Sequence, residues 1–138
     1  MYKKTIALFI IAISLCIYST AQVKHHVIIQ LTSNDTAVWH GLMNNIKHLH
    51  ETWGNTVQIE VVAHGPGIEM LMKGKTTQQQ GITTLKNTGI VFDACMNTMK
   101  AKNLTKDDII ADAGFVPSGV VEVVTKQEEG WSYLKTGF

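Results

Sequence analysis

Short apolar runs alternating with stretches of helical periodicity constrain this chain most. His25 to Leu31 (HHVIIQL), Val57 to Ala63 (VQIEVVA) and Ile90 to Ala94 (IVFDA) are rich in β-branched and apolar residues. Each is nearly continuous rather than alternating, which is the pattern of a strand buried on both faces. Between the first two, Thr32-Ser-Asn-Asp35 is a polar turn, with Asp35 or Thr36 as the candidate helix N-cap. From Ala37 to about Trp53, Val38, Leu42, Ile46 and Leu49 recur at helical spacing, and Gly54-Asn55 closes the segment.

The later chain continues the alternation. His64-Gly-Pro-Gly67 cannot extend a strand, and Ile68 to Met72 reads as a short helix stopped by Gly74. Gly81 to Asn87 has helical spacing, and Met96 to Lys102 reads as a helix leaving the third strand. Thr105 to Asp108 resembles another helix start. Ala113 to Val116 is a fourth strand closed by Pro117, and Trp131 to Lys135 is a fifth. Ser118 to Gly130 is valine-rich, yet Ser118 is a good N-cap and Lys126 to Gly130 a good stop, so it is assigned as a helix. Strands alternating with helices give an α/β fold with a parallel or mostly parallel sheet of about five strands, covered on both faces.

The N-terminus stands apart from this pattern. Lys3 and Lys4 precede an apolar stretch from Ile6 to Tyr18 that is short for a membrane span, and small residues lie at Ser19-Thr-Ala21. Residues 1–21 are therefore expected to be a cleaved export signal. That leaves a single domain over 22–138, periplasmic or otherwise exported, with no membrane attachment after cleavage. The remaining ten lysines nearly balance eleven acidic residues, and the chain has no arginine. This composition lacks the basic footprint of a nucleic-acid binder and offers no bidentate arginine clamp for phosphate.

Removal of the signal takes Cys16 with it and leaves Cys95 as the one thiol. It cannot form an internal disulfide, so it is either a buried apolar side chain or a working thiol. Cys95 falls where a strand pattern ends and a helix pattern begins. There the positive end of the helix dipole favours the thiolate. In open α/β sheets, ligands bind beyond the carboxyl ends of the strands. Two loops belong there. His64-Gly-Pro-Gly67 offers a titratable imidazole, a turn permitted by Gly65 and Gly67, and the N–H groups of Gly67 and Ile68 for an anion. Cys95-Met-Asn-Thr98 offers the thiol, with Asn97 or Thr98 to cap the helix or bond to a sulfur adduct. If the second and third strands are neighbours, both loops share one rim.

His25, His26, His40, His48 and His50 lack the spacing of a ligand set, so no metal is expected. No complete dinucleotide or P-loop fingerprint is present, and no cofactor is expected. Asp93 and Glu122 are carboxylates in apolar surroundings, either partly buried or exposed at an edge.

Four ordered segments carry a family resemblance: Ile59 to Gly67 (IEVVAHGPG), Gly89 to Met99 (GIVFDACMNTM), Val116 to Val123 (VPSGVVEV) and Gln127 to Lys135 (QEEGWSYLK). Together they resemble the DsrE/DsrF-like family, which includes sulfur-relay proteins. The resemblance implies a three-layer α/β/α domain and assembly as a homo-oligomer, a trimer or hexamer. It also implies a Cys95 that carries a persulfide between a sulfur-donor and a sulfur-acceptor protein. An export signal departs from the cytoplasmic relay proteins, so their particular partners do not carry over. In this reading His64 tunes protonation at Cys95 and Asn97 orients the adduct. The alternative is a non-catalytic oligomeric module that holds a small anion or nucleotide-like ligand on the same rim.

Overall fold

The computed structural model describes residues 25–136; the expected export signal over 1–21 lies outside them. Five strands form one sheet: β1 (His25–Leu31), β2 (Val57–Ala63), β3 (Val91–Cys95), β4 (Gly114–Val116) and β5 (Ser132–Thr136). All neighbouring pairs are parallel, in the order β4-β3-β2-β1-β5. Four α-helices connect and cover them: α1 (Thr36–Trp53), α2 (Gln79–Lys86), α3 (Met96–Ala101) and α4 (Gly119–Glu128). The fold class read from the sequence is the one observed, and the sheet is wholly parallel.

The two faces of the sheet are unequally covered. On one face, Val27, Ile29, Leu31, Ile59, Val61, Ala63, Phe92 and Ala94 pack against Trp39, Leu42 and Ile46 of α1, Ile82 of α2 and Met99 of α3. Trp39 is fixed there because its indole N–H donates to Ser33 O at 2.8 Å. Asp35 caps α1 by accepting from Ala37 N–H at 2.8 Å. The opposite face has a much smaller apolar cluster of Ile28, Val62, Val116 and Val123, with Trp131 beside it. Among the described elements only α4 covers it. Its helical state follows from this placement: Val123 points to the sheet, while Val120, Val121 and Val124 stay exposed. Tertiary burial of one side overrides the β propensity of the valines.

Three local expectations are corrected. Ile68 to Met72 is not an α-helix. A 3-10 helix spans Gly65–Leu71, and Met72 makes an isolated antiparallel bridge to Ile109. The cause is at Gly67, where a Cβ would collide with Leu31 O, so the segment is pulled tightly onto the end of β1. Thr105 to Asp108 is one 3-10 turn over Lys106–Asp108. A complete capping box closes it, with Asp108 Oδ2 accepting from Thr105 N–H at 2.7 Å. Finally, β3 runs one residue further than expected, so Cys95 is both the last strand residue and the N-cap of α3.

The thinly covered face also buries charge. Glu60 and Asp93 are 6% and 8% exposed. Lys126 of α4 reaches down to Glu60 Oε2 at 3.2 Å and to Glu122 Oε1 at 3.6 Å. Glu60 Oε1 has no partner. Burial pushes the Glu60 carboxyl up against the opposing pull of Lys126, and burial together with Glu122 pushes Asp93 up. Gly114 makes room for Asp93, since a Cβ there would meet Asp93 Oδ1.

Candidate functional site around Cys95

The parallel register aligns Ala63 with Ala94. Carried one residue onward, it sets His64 beside Cys95. Side chains alternate across a strand, so both fall on the α4 side of the sheet. The two loops expected to share a rim therefore do meet, at the carboxyl ends of β2 and β3.

Gly119, the first residue of α4, is wedged over this pair. A Cβ on it would lie 3.0 Å from Val62 Cγ1, 3.1 Å from His64 Cβ and 3.3 Å from Cys95 Cβ. The absence of a side chain lets the backbone descend until Gly119 N–H donates to Cys95 Sγ at 3.2 Å. Thr98 N–H donates to the same sulfur at 3.4 Å, so the sulfur itself caps α3. The Thr98 hydroxyl accepts from Gly65 N–H at 3.0 Å, tying the histidine loop to the cysteine helix. Gly65 takes a left-handed backbone, φ +54°, to make that turn.

These donors decide the state of the thiol. Cys95 is only 4% exposed. Burial pushes its pKa up, but the Thr98 hydroxyl and the N–H groups of Gly119, Thr98 and Asn97 outweigh that and hold it below the ordinary thiol value. Among the described residues, the groups that favour the thiolate are hydrogen-bond dipoles rather than cations. His64 is half-buried and its pKa is lowered by burial, which favours neutral imidazole beside the sulfur.

The other residues singled out from sequence fall in different surroundings. Asn97 has an exposed side chain, and its N–H donates to Pro117 O at 3.2 Å; the capping place expected of Asn97 or Thr98 is held by Cys95 sulfur. Gly67 N–H donates to His64 O at 3.1 Å, and Gly67 and Ile68 are buried against the core. The Gly65 and Gly67 donors are thus engaged within the protein. Gly119 was not singled out, although a helix-breaking glycine at the first position of a helix after Pro117-Ser118 is the kind of signal that marks a close backbone approach. Ser118 occupies the α4 N-cap without a side-chain capping bond. Among the described residues no cluster of three or more His, Cys, Asp or Glu could hold a metal ion, and no helix is long and apolar enough to cross a membrane.

A five-stranded parallel sheet with a strand-end cysteine held by backbone donors defines an α/β protein with a candidate thiol site. The model of the DsrE/DsrF-like family matches residues 32–136, and the chain belongs to that family. A search of curated proteins gave no match. Among solved structures the chain is similar to MTH1491 from Methanobacterium thermoautotrophicum, a protein of unknown function. There the TM-score is 0.77 and the identity 29%, over 81% of this chain and 99% of that one. The fold is shared with BT1422 from Bacteroides thetaiotaomicron, at TM-score 0.62 and 16% identity, over 85% and 99% of the two chains. It is shared also with the ychN protein of E. coli, at TM-score 0.61 and 11% identity, over 81% and 99%.

Proposed function

We propose that this protein is a sulfur carrier that holds a sulfane sulfur as a persulfide on Cys95. The observation that carries the reading is the pair of backbone N–H groups, from Gly119 and Thr98, converging on Cys95 Sγ beside His64. Such a pair stabilises a sulfur anion without a neighbouring cation. In the forward step the Cys95 thiolate attacks the outer sulfur of a donor persulfide, R–S–S–H. The new S–S bond forms as the donor S–S bond breaks, giving Cys95–S–S–H and R–S⁻. In the return step an acceptor thiolate attacks the outer sulfur and Cys95 leaves as the thiolate. Neither step needs an external oxidant, and the leaving group is the one the N–H donors stabilise. In this reading the exposed Asn97 side chain orients the outer sulfur, and His64 supplies a neutral imidazole.

The test is intact mass after exposure to a low-molecular-weight persulfide. The wild-type chain gains one sulfur and Cys95→Ser gains none; equal loading of both overturns the reading. The low exposure of Cys95 favours one alternative, a non-catalytic module in which the cysteine only lines a site for a small anion or nucleotide-like ligand. A Cys95→Ser variant with full ligand affinity and a wild type that takes up no sulfur would select it.

We also propose that the chain assembles with copies of itself through the outer side of α4. Val120, Val121 and Val124 are 56%, 61% and 47% exposed there, a row too apolar for a solvated helix face. Light scattering reads this directly: a monomer that persists at high concentration counts against it. Export is supported by the N-terminal sequence pattern, and N-terminal sequencing of secreted protein tests cleavage before Gln22.

A further inference from the structure

His64 is not held by Cys95 but from the other side, by a chain of two hydrogen bonds across the sheet. The Tyr133 hydroxyl donates to Gln30 Oε1. The Gln30 amide nitrogen lies 2.6 Å from His64 Nε2. An amide nitrogen can only donate, so the ring nitrogen it faces must carry a lone pair. The three residues come from β5, β1 and the loop after β2. The register aligns Gln30 with Val62 on one side and with Lys135 on the other, so Gln30 is within reach of both His64 and Tyr133.

We propose that Gln30 and Tyr133 are positioning residues for His64, fixing its ring as the neutral tautomer with the proton on Nδ1. Tyr133 orients the carboxamide by claiming its oxygen, and the carboxamide then has only its N–H groups to offer the ring. This inference rests on the pairing of His64 with Cys95 and refines it. A ring whose Nε2 lone pair is already engaged does not take up the thiol proton. His64 then presents its Nδ1–H as a fixed donor at the site, and the Cys95 proton leaves to solvent. That division suits a thiol whose ionisation is supported by the Gly119 and Thr98 N–H groups rather than by a base.

Two-bond ¹H–¹⁵N correlation spectra of the ring, recorded against pH, test the assignment. The titratable groups on the same face are His26 from β1, Cys95 and Asp93 from β3, Glu60 from β2, Tyr133 and Lys135 from β5, and Glu122 and Lys126 from α4. Spectra are therefore compared between variants at matched pH. Wild type is expected to show protonated Nδ1 and unprotonated Nε2. Tyr133→Phe keeps the ring, frees the carboxamide to turn over, and is expected to give a mixture of tautomers. Gln30→Glu places a carboxylate on Nε2 and is expected to raise the His64 pKa by about one to three units. Tyr133 is exposed on an edge strand, so its phenylalanine variant remains informative if Gln30→Glu does not fold. An Nε2-protonated ring in wild type, or a tautomer and pKa unmoved in both variants, overturns the inference. Sulfur loading is measured separately. Loss of loading with the tautomer as expected defeats only the carrier reading, and loading with the wrong tautomer defeats only this one.

Discussion

Gly119→Ala isolates the contact on which the thiol site turns. The added methyl would meet Val62 Cγ1, His64 Cβ and Cys95 Cβ at 3.0–3.3 Å, tighter than ordinary van der Waals contact. Two of the three are Cβ atoms rooted directly in the backbone of the sheet end, so they yield little. The first turn of α4 must rise instead, and the 3.2 Å bond from Gly119 N–H to sulfur lengthens. A hydrogen bond to a charged group is worth about 1.5–3 kcal/mol. Losing the lower figure cuts the thiolate fraction about tenfold at pH below the thiol pKa. The thiolate that remains is more basic and so more nucleophilic, with a Brønsted coefficient of about 0.4–0.5, which returns part of the rate. The net expectation is roughly a three- to fourfold fall in alkylation rate by iodoacetamide.

Access complicates the rate alone, because raising α4 also uncovers a sulfur that is 4% exposed. Direct titration of thiolate absorbance in the ultraviolet separates the two effects, since it reads ionisation and not encounter. The variant curve is expected to lie at higher pH than that of wild type. A curve that coincides with wild type, in a variant whose near-ultraviolet circular dichroism is unchanged, would refute the claim that the Gly119 dipole holds the thiol down.

Other substitutions probe the same framework. Thr98→Val removes the hydroxyl that serves both Gly65 N–H and the sulfur; it should cost about 1–2 kcal/mol in urea unfolding and also move the thiolate titration upward. Gly67→Ala drives a Cβ into Leu31 O and should destabilise by about 3 kcal/mol or more. Gly41→Ala, in open space on exposed α1, should stabilise by about 0.5–1 kcal/mol, and equal effects of the two would contradict the packing described. Asp93 has a folded pKa raised by burial, so its favourable contribution is complete below about pH 4 and is lost as pH rises through the folded value. Asp93→Asn should therefore gain stability relative to wild type as pH rises above about 4 in denaturant titrations, and a difference that stays constant with pH would show that the Asp93 pKa is not raised by folding.

The parts of this structure legible in the sequence are those set by local pattern. Continuous apolar runs at His25–Leu31 and Val57–Ala63 gave strands buried on both faces, and Asp35 announced the start of α1. The strand-to-helix junction at Cys95 was visible because a continuous apolar run gives way to helical spacing there. What stayed hidden depended on partners distant along the chain. The tight winding of Gly65–Leu71 follows from the contact between Gly67 and Leu31, and no local signal encodes that distance. The donor on Cys95 comes from Gly119, twenty-four residues away. Gln30 and Tyr133 read as ordinary strand residues until the register lines up β1 with β5.

The unequal covering of the sheet links these observations. The side that faces α1 carries a large apolar core and no chemistry. The side that faces α4 carries Cys95, His64, Gln30, Glu60 and Asp93, and its apolar cluster is small. A helix held by so little apolar contact is drawn from the low-stability end of the fold. The bond from Lys126 to Glu60 at one end and the Gly119 contact at the other are what fix its height above the sheet. Thiolate stabilisation and α4 docking are therefore one equilibrium: any change that lifts the helix also withdraws a donor from the sulfur. Assembly through Val120, Val121 and Val124 would press on that same helix from outside. Thiol titration should then track protein concentration across the assembly midpoint, shifting to lower pH as copies associate, and a titration independent of concentration in a chain that does assemble would separate the two processes.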